Sequence, residues 1–172
     1  MKKSFLFIPL ALWLASCTEI MFEEPQPPSL KAEKQIPGKF QGTFKFVMMN
    51  DKVMMEVGKD YITMDDEKAY LSDSMVVKIL GDRLVVNRLE KRDSLPAWAS
   101  FVLEDKGCGF VKATTFIINS DTYPDKFAAQ YNPVKKGDEQ SKTFIIKTTD
   151  RQFEELLAND SVTVSIIMER QK

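Results

Sequence analysis

The clearest structural signal in the sequence is a period-two alternation of apolar and polar side chains that begins near Phe40. Such alternation is typical of a β-strand with one buried face, because successive side chains point to opposite sides of a sheet. Two hairpins stand out, one over residues 44–57 and one over residues 75–89 with its turn at Gly81–Asp82. Glycine in the first position of that turn indicates type II′ geometry, which suits the twist of paired strands.

Further strands follow from the same pattern, and one helix is predicted near the C-terminus. Thr149 to Gln152 reads as a capping box, and Phe153, Leu156 and Leu157 after it form the apolar stripe of a short helix. The chain is therefore predicted to be all-β, a mainly antiparallel meander, sandwich or barrel of about eight or nine strands with one short C-terminal helix. The remaining strands are expected over residues 61–64, 98–103, 110–118, 143–147 and 162–168.

The long connection from Ser120 to Ser141 contains three aromatic residues at a spacing of four. Tyr123, Phe127 and Tyr131 would share one face of a short helix over residues 124–130. Two interpretations remain open: this face covers one end of the sheet, or it contacts a partner. The first is favoured, because apolar helix faces usually dock on cores. The same three residues are the candidate partner-binding residues of the chain.

The N-terminus follows a different pattern. Lys2 and Lys3 precede an apolar run over residues 5–15, which is shorter than the roughly 20 residues that a membrane-spanning helix needs. A charged start, a short apolar segment and then small residues are typical of a secretory signal. The segment closes with Leu14-Ala15-Ser16-Cys17, which resembles the lipobox of bacterial lipoproteins.

This resemblance to small bacterial cell-envelope lipoproteins implies a lipid anchor. It implies that diacylglycerol is attached to the Cys17 thiol, that a peptidase then removes residues 1–16, and that the new amine is acylated. Two or more acyl chains hold a protein stably at a membrane. Thr18 stands where inner-membrane lipoproteins of some bacteria carry Asp, so the resemblance implies the outer membrane. The periplasmic or surface face stays open.

A proline-rich segment separates the predicted signal from the predicted globular domain. Residues 17–37 contain four prolines and scattered charges, which predicts an extended tether behind the lipidated Cys17. Residues 38–172 are then a single β-rich globular domain, of a length that can bury a core.

Composition excludes several classes of function. The formal net charge of −1 gives no electrostatic reason to expect nucleic acid as a partner. The chain contains no histidine, so a nucleophilic cysteine–histidine pair cannot form. The sequence has no zinc-ligand spacing, glycine-rich phosphate loop or G-x-S-x-G elbow. We therefore predict no catalytic residue, no metal and no cofactor, and we expect the protein not to be an enzyme.

The sulfur-containing residues leave two smaller questions. With lipid on Cys17, Cys108 has no intramolecular partner, and it is expected to be a small buried apolar residue. Met48, Met49, Met54 and Met55 flank one predicted turn. Thioethers suit Cu(I), but strand alternation brings at most two of the sulfurs to one face, so core packing is favoured.

The expected function is a structural or partner-binding role at the membrane. The alternative is a carrier of a small apolar ligand, because the order of strands, helix and last strand is similar to that of lipocalin-like lipoproteins. Gly42-Thr43-Phe44 stands where lipocalins have G-x-W, so the tryptophan of that motif is absent. An internal cavity large enough for a ligand would distinguish a carrier from a partner-binding domain.

Overall fold

The computed structural model describes residues 18–48, 51–64, 67–92, 95–118, 123–136 and 143–171. Within these ranges the predicted all-β class is confirmed: strands dominate and the helices are short. The helices are α1 (Tyr123–Tyr131) and α2 (Asp150–Leu157). The strands are β1 (Thr18–Phe22), β2 (Gly42–Met48), β3 (Asp51–Val57), β4 (Tyr61–Met64), β5 (Glu67–Tyr70), β6 (Met75–Leu80), β7 (Arg83–Arg92), β8 (Leu95–Gly107), β9 (Phe110–Ile118), β10 (Val134–Lys136), β11 (Thr143–Ile146) and β12 (Thr163–Arg170).

The strands of the described residues form one mixed sheet in the order β10-β11-β1-β8-β9-β12-β2-β3-β4-β5, and β7 joins β6 to β8. The pairings among these strands are antiparallel except that of β1 with β11, which is parallel. The sheet does not close on itself, because β10 and β5 end the path. The closed barrel among the predicted arrangements is therefore wrong for these strands.

Several predicted elements form where the pattern placed them. Strands β4, β6 and β9 have their predicted bounds, and α1 forms over the stretch predicted as a helix. The turn between β6 and β7 has positive φ at Gly81, as the predicted turn type requires. Helix α2 begins with the predicted capping box: Thr149 Oγ1 accepts from Gln152 N, and Gln152 Oε1 accepts from Thr149 N.

One face of the sheet curls around an apolar cluster that we call the inner core. Strands β2, β3 and β4 approach β6 to β9 across this cluster, because both groups contribute side chains to it. Phe40, in a short 3-10 turn before β2, is fully buried there. The inner core consists of Ile36, Phe40, Phe44, Phe46, Val53, Met55, Val57, Ile62, Met75, Val77, Leu84, Val86, Leu103, Val111 and Met168.

The opposite face of β7, β8 and β9 supports a second cluster, which we call the helix-side core. Both helices and the pair β1–β11 pack onto it. Aromatic rings meet edge-on at its centre: the centroid of Phe22 lies 5.3 Å from that of Phe116 and 5.7 Å from that of Phe153. The helix-side core consists of Ile20, Phe22, Val85, Val102, Phe116, Ile118, Phe127, Phe144, Ile146, Phe153, Leu156 and Val162.

The N-terminal segment differs from the predicted tether. Strand β1 lies inside the sheet, between β11 on one side and β8 and β9 on the other. Ile20, Met21 and Phe22 are buried, so this strand is part of the core. The chain after it also stays on the domain: Glu33 N donates to Val77 O at 2.8 Å and Ile36 is buried. Residues 18–37 therefore belong to the folded domain, whose predicted start was residue 38.

Candidate functional site

The solvent-exposed side of the curled sheet is the largest functional candidate, and we call it the open face. Its residues follow from the strand registers, since directly paired residues point to the same side of a sheet. Phe110 pairs with Glu169, Glu169 with Lys45, and Lys45 with Met54. The open face consists of Glu104, Phe110, Lys112, Ser165, Ile167, Glu169, Thr43, Lys45, Lys52, Met54, Glu56, Tyr61, Thr63, Lys68 and Tyr70.

Apolar side chains are concentrated on this face. Among the described residues, four of the six exposed large hydrophobic side chains lie here. They are Met54, Tyr70, Phe110 and Ile167, with exposed fractions of 41%, 56%, 42% and 56%. Their neighbours in the same strands, such as Met55 and Met168, are fully buried in the inner core. The exposure therefore follows from the alternation of the strands, and the alternate residues remain buried in the inner core.

Charges of both signs surround these apolar positions. Lysines and glutamates alternate between neighbouring strands, as in the pairs Lys112–Glu104 and Lys45–Glu169. Opposite charges on paired residues stabilise a sheet modestly. The face thus combines aromatic, aliphatic and mixed charged groups, a composition suited to a protein surface more than to a polyanion.

One corner of the open face is an ordered aromatic and ionic cluster on β3, β4 and β5. The Tyr61 hydroxyl donates to Glu56 Oε1 at 2.6 Å, and Lys68 Nζ lies 3.6 Å from the centroid of the Tyr61 ring. The Tyr70 centroid is 5.9 Å from that of Tyr61. The hydrogen bond to Glu56 raises the pKa of Tyr61, with further increases from partial desolvation and from the Glu56 charge. Tyr61 is therefore a neutral donor at ordinary pH.

Two of the three predicted partner-binding residues on α1 have described side chains, and they differ in burial. Phe127 is fully buried in the helix-side core, and its ring stacks on Phe144 with the centroids 5.8 Å apart. Tyr131 packs beside Phe127 and is half-buried. The side chain of Tyr123 is outside the described part of the structure. Phe127 is thus inaccessible to a partner, and α1 packs on the helix-side core.

A buried polar cluster, which we call the Gln26 cluster, joins the N-terminal segment to the sheet and to the start of α2. Gln26 N donates to Asn87 Oδ1 at 2.7 Å, and Asn87 Nδ2 donates back to Gln26 O at 2.9 Å. Ser100 Oγ also donates to Asn87 Oδ1, and Thr148 Oγ1 donates to Gln26 Oε1, both at 2.7 Å. Side chains thus satisfy the backbone of a proline-rich segment that has no strand partner.

Lys78 belongs to the same region and is almost completely buried. Its Nζ donates to the carbonyl oxygens of Pro25 and Pro27, each at 2.8 Å. Burial lowers the pKa of Lys78, and the charges of Glu24 and Asp150 partly oppose that change. The sequence pattern does not predict that Lys78, Gln26 and Asn87 form a buried polar cluster. Each of them lies in a stretch whose pattern is typical of an exposed segment or of a strand.

The described residues also contain a small pocket between the β4–β5 hairpin and the β6–β7 hairpin. Its volume is about 10 Å³, roughly the room needed for one water molecule. This volume is far below that of a lipid or another small apolar ligand. The pocket is lined by Ile62, Met64, Glu67, Ala69, Met75, Val86 and Arg88.

The sulfur-containing residues depart in part from expectation. Cys108 is exposed in the turn between β8 and β9, with φ of 51°, so the prediction of a buried residue is wrong. Its position in an exposed turn between two strands keeps Cys108 out of both cores. Met55 is buried whereas Met54 is on the open face, as the alternation predicts. Met49 is outside the described residues, as is the side chain of Met48.

Other candidate chemistry can be stated for the described ranges alone. No group of three or more acidic, cysteine or histidine side chains is close enough there to hold a metal ion. No helix in those ranges has the length and apolar character that crossing a membrane requires. Cys17 and the predicted signal over residues 1–16 lie outside them, so lipidation stays a prediction.

Comparisons with family models, with curated proteins and with solved structures find no match for this chain.

Proposed function

We propose that the protein is a lipid-anchored domain of the bacterial cell envelope, held at the outer membrane through Cys17, and that it binds a protein partner through its open face. It acts by binding and catalyses no reaction. The anchor rests on the sequence Leu14-Ala15-Ser16-Cys17 behind a charged and apolar start. The binding role rests on the open face.

The observation that carries the binding role is the concentration of exposed apolar side chains on one sheet face. Single exposed apolar residues are ordinary on a protein surface, but Phe110 and Ile167 lie on adjacent strands, and Met54 lies on the same side of the sheet two strands beyond Ile167. Aromatic residues and methionine are enriched where proteins bind one another. The mixed charges around them favour a protein over a nucleic acid or an anionic lipid surface.

The lipocalin-like alternative receives less support. A carrier of this type needs a closed barrel, whereas the sheet formed by the described residues does not close. The inner core instead fills the curl of the sheet with side chains.

The anchor is tested with Cys17→Ser in the full chain, followed by membrane fractionation and mass spectrometry. The parent protein is expected in the outer-membrane fraction with the added mass of diacylglycerol and a further acyl chain. The variant is expected without lipid and outside that fraction, since one chain or none does not hold a protein at a membrane. Cys108→Ser is the matched control and keeps both the lipid and the location. A variant that stays acylated and membrane-bound would contradict the anchor.

The open face is tested by photo-cross-linking in intact cells. A photoreactive residue at Ile167 is expected to give one discrete protein adduct, whereas the same residue at exposed Asp73, outside the open face, gives none. Adding Met54→Lys to the Ile167 probe is expected to reduce the adduct, because a charge replaces an apolar contact on the same face. Identical adducts from both probe positions would rule out the open face as the binding surface.

A further inference from the structure

The proposed lipid anchor at Cys17 directly precedes the first strand of the sheet. This adjacency matters only if Cys17 is lipidated, as proposed above. Thr18 is the first residue of β1 and is buried, and it pairs with Ile118 of β9. Adjacent Cα atoms are about 3.8 Å apart across a trans peptide. Because Cys17 directly precedes Thr18 in the sequence, a lipid on Cys17 is joined to the sheet with no residue between them.

Several elements end beside Thr18, and we call this part of the molecule the anchor end. Ile117 N donates to Val162 O at 2.9 Å, which places the turn before β12 on the other side of β9 from β1. That turn contains the exposed polar residues Asp160 and Ser161. Two strand spacings, about 10 Å, separate it from Thr18.

The opposite end of β9 lies far from the anchor. Phe110 begins β9, and the turn Gly107-Cys108-Gly109 directly precedes it. We call this turn the distal end. Eight residue steps of about 3.3 Å separate Phe110 from Ile118, so the distal end is about 26 Å from the anchor end.

We infer that the anchor end is a docking surface for the lipid bilayer itself, and that the protein sits on the membrane in one orientation with its distal end pointing away. The acyl chains enter the bilayer directly below Thr18, so the end of β9 and the turn before β12 meet the headgroups. Asp160 and Ser161 are polar, which places this surface at the headgroup level and keeps it out of the hydrocarbon. A second copy of the chain or an envelope protein on the anchor end would instead keep the headgroups away from it.

This orientation determines how far from the membrane a partner contacts the open face. Phe110, on the open face, lies next to the distal end. The open face therefore extends away from the bilayer along β9, and a partner that contacts Phe110 does so about 26 Å above the headgroups.

The test compares two fluorescent probes on the lipidated protein in phosphatidylcholine vesicles. The distal probe is attached to the native Cys108, which is exposed, while the lipidated Cys17 has no free thiol. The anchor-end probe is attached to Ser161→Cys in a Cys108→Ser background. Each sample is measured with a nitroxide-labelled lipid headgroup and, separately, with a nitroxide deep in the acyl chain.

We expect the headgroup nitroxide to quench the anchor-end probe at least about threefold more strongly than the distal probe, because about 26 Å of β9 separates them. The acyl-chain nitroxide is expected to quench neither probe. Insertion of twelve Gly and Ser residues between Cys17 and Thr18 provides the control. Such a linker spans about 19 Å and is expected to make the two probes nearly equal.

Equal headgroup quenching of both probes in the uninserted protein would overturn the inference while leaving the anchor in place. Low quenching of both probes, with the protein still lipidated, would show that another protein surface or a second copy covers the anchor end, and would also overturn it. If mass spectrometry finds no lipid on Cys17, the proposed anchoring fails first and the inference fails with it. The two failures are therefore distinguishable.

Discussion

Asn87 shows how much of this fold depends on single buried polar residues. Its side chain makes three hydrogen bonds: two bind both the N–H and the carbonyl of Gln26, and one comes from Ser100. A buried backbone group left without a partner costs about 1–3 kcal/mol. Asn87 therefore supplies Gln26, in the proline-rich segment, with the hydrogen-bond partners that a neighbouring strand supplies elsewhere in the sheet.

Asn87→Ala is expected to lower the free energy of unfolding by about 2–4 kcal/mol, because it leaves Gln26 N and Gln26 O unpaired in the interior. Ser100→Ala removes one donor to Asn87 Oδ1 and leaves both bonds to Gln26 in place, so it is expected to cost about 0.5–1.5 kcal/mol. Urea unfolding of both variants measures the difference. Equal losses would show that the Gln26 cluster does not hold the segment in place.

Lys78 makes stability depend on pH in the alkaline range. Its pKa is lowered in the folded protein by burial, so between the folded and unfolded values the unfolded chain binds more protons. Stability from this group therefore rises as pH increases through the range just below the ordinary lysine pKa of about 10.4. The neutral amine still has two N–H donors, enough for the carbonyls of Pro25 and Pro27.

The contribution of Lys78 is measured as the difference between the parent protein and Lys78→Met in urea unfolding from neutral pH upward. We expect the parent to gain stability relative to the variant as pH rises. Lys39→Met, at an exposed lysine, is the control for loss of one positive charge. A parent that loses stability relative to Lys78→Met would contradict the lowered pKa.

At the scale of the element, β1 is a structural strand within a segment that the sequence predicts to be a tether. Its side chains Ile20 and Phe22 lie in the helix-side core, and Met21 is fully buried on the other side. Burial on both faces explains why a five-residue strand holds a central place in the sheet.

Phe22→Ala is expected to lower the free energy of unfolding by about 3–5 kcal/mol, since it removes the ring that packs against Phe116 and Phe153. Glu23→Ala changes the next, exposed residue and is expected to stay within about 0.5 kcal/mol of the parent. Chemical denaturation compares the two. If Phe22→Ala were as mild as its control, residues 18–22 would behave as a tether and their place in the sheet would be wrong.

The sequence predicts those elements whose pattern is local. Strands β6 and β9 and helix α2 have clear periodicity or capping residues, and they form as predicted. Strand β1 has no alternation to reveal it, because both of its faces are buried and prolines follow it. The open face follows from alternation as well, whereas the Gln26 cluster joins residues far apart in the chain and leaves no local signal.

At the scale of the whole molecule, the two cores share their central strands. In β7, Leu84 and Val86 face the inner core while Val85 faces the helix-side core. Strand β8 divides Leu103 and Val102 in the same way. Neither core can lose its packing without disturbing the backbone that supports the other, so the domain is expected to unfold as one unit.

Phe44→Ala, in the inner core, is expected to shift one cooperative transition to lower urea by a loss of about 3–5 kcal/mol. Trp98 packs against the helix-side core and is the only tryptophan after residue 16, so its fluorescence reports on the other cluster. Far-UV circular dichroism and Trp98 fluorescence are expected to give the same midpoint. Separate midpoints would show that the two cores unfold independently.

The parallel pairing of β1 with β11 also constrains the order in which the protein can be completed. Glu19 pairs with Thr143, so about 120 residues of chain must be brought together before this ladder can form. Because the chain is made from its N-terminus, β1 is thus without one of its neighbours until nearly the whole chain has followed. Over that interval Ile20 and Phe22 lack the packing that β11 supplies, so the first strand of the chain is among the last to be completed.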